Sequence, residues 1–204
     1  MTLRAPAATT PLRADLAAIA DAVPRGARVL DVGCGDGALL AALQRDKGVD
    51  GRGIELSGAN VAAAVERGLS VVQGDADADL ADYPSHAFDV AILSDTLQAM
   101  RSPETVLSEL LRIARTAVIS FPNFGHWRVR LSLLVGGRMP MTAALPVPWY
   151  ATPNIHLCSI DDFRALAAAL DVTVEGATFL SRGQRLTWAE NLRAEQAVFV
   201  LSRR

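Results

Sequence analysis

The chain has 204 residues, 50% hydrophobic and 21% charged, enough apolar material for one compact domain with a full core. A formal net charge of −2 gives no electrostatic case for a nucleic-acid or anionic-membrane partner. Apolar runs are short and broken by charge, so no segment is expected to span a bilayer.

Met1–Pro11 holds one arginine and no apolar stretch of signal-peptide length, and is expected to be a disordered tail preceding a single domain over 12–204. Leu12, Leu16, Ile19 and Val23 recur three or four apart, which predicts an amphipathic helix stopped by Pro24-Arg25-Gly26. A strand follows at Arg28–Val32, then a helix to about Arg45. A second strand runs to Leu56, and a helix over Ala59–Arg67 ends at Gly68. Ser70–Gln73 reads as a third strand, and Phe88–Leu93 as an apolar run short enough for a buried parallel strand. A helix over Pro103–Ala114 has Ser102 as its expected N-cap, and Ala117–Phe121 is the fifth strand. Alternating strands and helices imply a Rossmann-like, doubly wound α/β sheet that is mostly parallel.

Beyond Gly125 the character changes. A helix over Trp127–Val135 leads into a Pro-rich insert at about 136–157. A helix over Ser159–Leu170 has Ser159 as cap and Asp161 and Asp162 in its first turn. Two closing strands, about Val172–Phe179 and Ala197–Leu201, are expected to pair antiparallel across a polar link.

The most informative segment is Val29–Gly37, V-L-D-V-G-C-G-D-G. An apolar strand ends on Asp31, glycines alternate at Gly33, Gly35 and Gly37, and a helical pattern starts at Ala38. That is a nucleotide-cofactor turn, in which glycine lets the backbone turn sharply and approach a ligand closely. Charge selects the cofactor. A dinucleotide would place its pyrophosphate against Asp31 and Asp36, although Gly33-x-Gly35-x-x-Ala38 satisfies dinucleotide spacing formally. S-adenosylmethionine has no phosphate, and its ammonium and sulfonium favour nearby carboxylates. Glu55 closes the second strand 24 residues after Asp31, where an acid can accept hydrogen bonds from ribose hydroxyls.

The D-x-G-x-G-x-G pattern resembles motif I of class I S-adenosylmethionine-dependent methyltransferases. The resemblance implies that S-adenosylmethionine or S-adenosylhomocysteine is bound, with Asp75 at the adenine amino group and Ala76 offering a backbone N–H. Cys34 within the turn, Leu56 after Glu55, and Ser94 after the fourth strand complete the expected cofactor set with the three glycines.

Four side chains are candidates for acceptor chemistry, which needs a general base or a positioning shell. Asp95 reads equally as an acceptor-contacting residue or as a helix cap. His126 reads rather as a structural histidine packed with Trp127. His156 reads as a lid anchor or a base, and Tyr150 lies in the insert before it. No metal site is expected, because His156-x-Cys158 finds no further ligands at a suitable spacing. No Ser-His-Asp order matches a hydrolase elbow, so acyl transfer by this chain itself is not expected. Cys34 and Cys158 are the two cysteines, which gives no disulfide framework and fits a reducing cytoplasm.

Three blocks narrow the resemblance: Phe121-Pro-Asn-Phe-Gly-His-Trp-Arg128, Gly137-Arg-Met-Pro140, and Trp149-Tyr-Ala-Thr-Pro-Asn-Ile-His-Leu-Cys158. Together with Leu12–Leu16 and Asp95–Ala99 they resemble the MetW family of methionine-biosynthesis proteins over roughly Leu12–Val174. That resemblance implies action with a homoserine O-acyltransferase of the MetX type, as accessory subunit or regulator. The alternative is an independent methyltransferase acting on a small molecule. Arg128, Arg130, Arg138, Met139, Trp149 and Tyr150 supply the aromatic and arginine anchors that dominate interface energies. Trp149–His156 is expected to cover the methyl end of the cofactor.

Overall fold

A computed structural model describes residues 12–142 and 145–203, so the expected N-terminal tail lies outside the described residues. Helix α1 spans Ala14–Ala22, strand β1 Arg28–Val32, α2 Ala38–Lys47, β2 Asp50–Glu55, α3 Gly58–Glu66 and β3 Ser70–Gln73. A short α4 at Ala76–Asp79 precedes β4 at Phe88–Ser94, α5 at Pro103–Ile113, β5 at Ala114–Pro122 and α6 at Trp127–Gly136. Then come α7 at Ile160–Ala169, β6 at Val172–Ser181, β7 at Gln184–Leu186, α8 at Glu190–Arg193 and β8 at Gln196–Arg203.

All eight strands form one sheet in the order β3-β2-β1-β4-β5-β8-β6-β7. Strands β1 to β5 pair in parallel, and β8 enters antiparallel between β5 and β6. The expected antiparallel C-terminal pair is therefore present, with a third strand, β7, added at the edge. Three residues are too few to show a period in sequence, which is why β7 read as part of a polar link.

The central strands are buried on both faces, as a parallel sheet requires. Along β4, Val90 and Ile92 pack with α1, α2 and α3, while Ala91 and Leu93 pack with α5 and α7. Phe121, Phe163 and Phe199 join β5, α7 and β8 through ring contacts of 4.6–5.9 Å.

The helix starts differ in how they are capped. Ser159 opens α7 with a reciprocal capping box to Asp162, as its sequence predicts. Ser102 stands at the N-cap position of α5 but makes no side-chain cap. Asp77 instead accepts the Ser102 N–H at 3.1 Å, and Pro103 has no N–H to satisfy.

The chain reverses its winding direction between β1 and β4, so the carboxyl ends of these strands open the crevice in which such sheets bind ligands. One buried side chain ties that edge to the C-terminal half. Asn123, just past β5, donates to the carbonyls of Asn191 (3.0 Å) and Ala194 (2.8 Å) and accepts from the N–H groups of Gly125 (2.9 Å) and Ile160 (3.2 Å). Asn123→Ala strands four backbone groups and is expected to cost about 3 kcal/mol. A urea midpoint indistinguishable from that of the parent protein would contradict this.

Candidate functional site

The turn after β1 works because three of its residues are glycine. Gly33, Gly35 and Gly37 all have φ between 55° and 77°, the left-handed region that side chains rarely adopt. A Cβ on Gly33 would sit 2.6 Å from the Thr96 hydroxyl, and one on Gly37 would strike Leu69. A Cβ on Gly35 would meet nothing within 4 Å, so here the backbone lies bare beside open space. That space is a cavity of about 430 Å³ walled by Asp31, Gly33, Cys34, Gly35, Asp36 and Ser94, with Leu12, Arg13 and Leu16 closing it from the α1 side.

Asp31 is only 1% exposed, yet its Oδ1 has no hydrogen-bond partner. Burial, reinforced by the charge of Glu55, pushes its carboxyl up to about 7. An orphaned buried carboxylate on a cavity wall calls for a cation or a donor, and S-adenosylmethionine carries both. Asp36 forms an ion pair with Arg67 at 2.6 Å, so Asp31 and Glu55 dominate the field of the turn.

Glu55 has a structural task as well as an expected ligand. One carboxylate oxygen accepts the Gly35 N–H at 2.9 Å and the other the Ser57 N–H at 2.9 Å, which fixes the glycine turn to the end of β2. The oxygen that holds Ser57 also accepts the Asn60 side-chain amide at 3.4 Å, so the oxygen bound to Gly35 is the one that keeps a lone pair for a further donor. Asp75 caps α4 by accepting the Asp77 N–H at 3.0 Å and is ion-paired with Arg101, with Ala76 next in line. Leu56 is 67% exposed beside this edge.

Ser94 and Asp95 extend the site past β4. The Ser94 hydroxyl lies 3.2 Å from that of Ser120, and the Asp95 N–H donates to the same Ser120 oxygen at 3.1 Å. Asp95 has φ +52° and caps no helix, which removes the capping alternative. Its carboxylate instead receives Arg13 at 2.9 Å, and Arg13 also reaches buried Asp15 at 2.7 Å. Burial and the charge of Asp15 raise Asp95 above the ordinary carboxylate range, against the opposing pull of Arg13. These three residues, with Asn154, Glu195 and Gln196, wall a second cavity of about 440 Å³. Arg13 lines both cavities and was invisible as a site residue in sequence, since only the docking of α1 brings it there.

The remaining candidates separate. His126 is buried, accepts the Arg128 N–H through Nδ1 at 3.3 Å, and lies against the Trp127 ring at 5.7 Å. This is the structural role that its neighbours suggest. Tyr150 is 74% exposed and packs edge-on to Trp149. His156 is exposed, with Nε2 3.4 Å from the Arg101 carbonyl, and lines a different cavity between α5 and α7 with Cys158. Pro146 and Asn154, rather than His156, carry the insert to the cavity beside Asp95. The insert is nevertheless anchored near His156, where the N–H groups of Ile155 and His156 both donate to the Gln98 carbonyl at 2.9 Å. Cys34 is a poor nucleophile, because burial first and then Asp31 push its thiol up to about 12.

A family profile described as methionine biosynthesis protein MetW matches residues 13–201. The chain belongs to the MetW family. It is 34% identical over 205 residues to the bifunctional methionine biosynthesis protein MetXA/MetW of Rhodopirellula baltica, covering 94% of this chain and 33% of that one. The chain thus spans about a third of that relative's length. Among solved structures it resembles an S-adenosylmethionine-dependent methyltransferase from Mesorhizobium loti, with a TM-score of 0.70, 17% identity, and coverage of 93% and 98% of the two chains. Another from Thermotoga maritima gives a TM-score of 0.68 at 17% identity, with coverage of 94% and 88%. At such identities the likeness is one of fold, and the fold of this MetW chain is that of class I methyltransferases.

Asp31 makes a stability prediction with a definite sign. Its folded pKa lies above the unfolded value, so the native state holds the proton more tightly and stability declines as pH rises from about 4 to about 7. Asp31→Asn removes that decline and is expected to stabilise the chain by a few kcal/mol at pH 8 while leaving it little changed at pH 4. Parallel stability–pH curves for the two proteins would contradict the assignment.

Proposed function

We propose that this MetW chain binds S-adenosylmethionine or S-adenosylhomocysteine in the cavity beside the glycine turn and acts with a homoserine O-acyltransferase of the MetX type. The observation that carries the cofactor half is the buried, unpartnered Oδ1 of Asp31 beside the open backbone of Gly35. In this reading Asp31 takes the amino-acid end, Gly33, Cys34, Gly35 and Gly37 admit the cofactor by their small size, and Ser94 borders it. Glu55 takes the ribose hydroxyls beside Leu56, while Asp75 and Ala76 serve the adenine. When bound, S-adenosylmethionine supplies an electrophilic methyl group on a sulfonium. The chain's own part is to hold that cation against Asp31 and Glu55 and to keep Asp95 engaged with Arg13 next to it.

The partner half is supported by the relative whose name joins MetXA to MetW in one chain. A further support is the surface of the insert. Trp149 and Tyr150 are 70% and 74% exposed, and a cavity of about 410 Å³ lined by Phe124, Met139, Val147, Trp149, Ile155 and Leu157 opens beside them. Such an apolar patch on a protein surface is the kind a partner covers. Met139 lines it and the exposed Arg138 precedes Met139 in the chain, whereas Arg128 lines a separate recess.

Calorimetry tests the first half. Asp31→Ala and Glu55→Ala should each weaken S-adenosylmethionine about tenfold or more, the loss expected for one charge-assisted hydrogen bond. Tighter binding of NAD than of S-adenosylmethionine by the parent protein would sink the cofactor assignment.

Co-purification tests the second half. Replacing Arg138 and Met139 with glutamate should abolish binding to the acyltransferase and any stimulation of it, yet spare cofactor binding. If the chain never binds the acyltransferase but turns over S-adenosylmethionine with a small acceptor, the independent methyltransferase reading replaces this one.

A further inference from the structure

A third feature of the carboxyl edge belongs to neither half of that function. Between the β5–α6 junction, the β6–β7 turn and α8 lies a recess of about 420 Å³, whose wall carries Arg128, Arg182, Arg185 and Arg193 against a single acid, Glu195. Arg185 is neutralised by Asp21 at 3.0 Å. Among the described residues the guanidiniums of Arg128, Arg182 and Arg193 form no ion pair, although eight other arginines do. In a chain of net charge −2, three unpaired guanidiniums on one wall are a local excess that the fold does not neutralise.

Two of the three are held in place by aromatic rings. Arg193 lies 3.9 Å above the Trp188 ring and Arg128 5.3 Å from the Trp127 ring. Stacking of this kind occupies the flat face of a guanidinium and leaves its N–H edge free for an oxyanion. His126 lines the same recess. Its Nδ1 accepts the Arg128 N–H, so the neutral ring carries its proton on Nε2 and adds a donor.

Arg182 supplies an independent argument. Ser181 pairs with Gln184, so Arg182 and Gly183 form a two-residue turn, with φ of +50° and +76°. Both central residues of such a turn need positive φ, and asparagine, aspartate or glycine is preferred first. Arginine is strained there. The Arg182 contact that the turn uses is a backbone one, its N–H donating to Glu195 at 2.8 Å, which any residue could make. Among the described residues its side chain makes no hydrogen bond or ion pair, and a residue that breaks a local rule without such a contact points to a task for its side chain.

We propose that this recess binds the oxyanion of a small molecule, a carboxylate or a phosphate, with Arg128, Arg182 and Arg193 as its cationic ligands. Its size suits a small group enclosed between three elements, not an extended acidic peptide. Glu195 walls both this recess and the cavity beside Asp95, so the two spaces adjoin along the sheet edge.

The test titrates inorganic phosphate and succinate separately into the full chain by calorimetry, at constant ionic strength with chloride as control. Binding of phosphate, of succinate, or of both supports the site and tells the two sources apart. Arg182→Asn should weaken that binding about tenfold or more while its melting temperature stays level or rises, because asparagine relieves the turn. Arg193→Gln should weaken it similarly from a position outside the turn. Heats no larger than those of chloride, or full affinity in both variants, would overturn the proposal. So would binding of a polyglutamate peptide where both small anions fail, which would make the patch a protein-docking surface.

Discussion

Asp31 sits at the end of the strand where the sheet changes winding direction, 1% exposed and with one carboxylate oxygen unanswered. Such a group is costly to bury, and its surroundings are arranged to hold it there. The glycine turn brings bare backbone instead of side chain to the space beside it. One oxygen of Glu55 fastens that turn to the end of β2 and the other holds the Ser57 N–H, and burial first, then the charge of Glu55, pushes the Asp31 carboxyl up to about 7. The pair is unfavourable for the folded chain by itself.

From that point the carboxyl edge is zoned by charge. Carboxylates gather where β1 and β2 end. A mixed network follows after β4, where Arg13 bridges Asp15 and Asp95 and so ties the start of α1 to the edge. Arginines gather beyond β5, around the β6–β7 turn. The sheet order sets these groups apart, because β8 and β6 append their ends to the far side of β5. Packing makes the zones rigid: Asn123 locks the end of β5 to α7 and α8, and Ser120 holds the Ser94–Asp95 corner.

The insert between α6 and α7 obeys a different logic. It contains no helix or strand among its described residues, and Gln98 anchors its end by accepting two backbone N–H groups. Its aromatic side chains stay exposed while Pro146 and Asn154 reach the cavity beside Asp95. Helix α6 continues this surface, since Val129 is its one buried residue among the described ones and Leu134 and Val135 are 84% and 77% exposed.

The linear sequence determined the parallel half of the fold and the position of the cofactor turn. Those features rest on local physics: apolar runs of strand length, glycines where φ must be positive, and helix starts such as Ser159 with Asp162. It also determined family membership, through long blocks rich in tryptophan, proline and histidine. What it did not reveal depends on contacts between distant segments. Asp95 could have capped a helix until Arg13, 82 residues away, claimed its carboxylate. His126 already reads as a structural histidine in sequence, but only the fold makes it a buried helix cap and leaves His156 an exposed neighbour of Arg101. Asp36 carries a negative charge in any reading of the turn, and only α3 placed Arg67 to pair with it. The arginine recess drew its members from three separate elements, one of them the turn into β7, a strand too short to be read. Local chemistry is written in neighbouring residues, whereas pairing and burial of charge depend on which elements the sheet brings side by side.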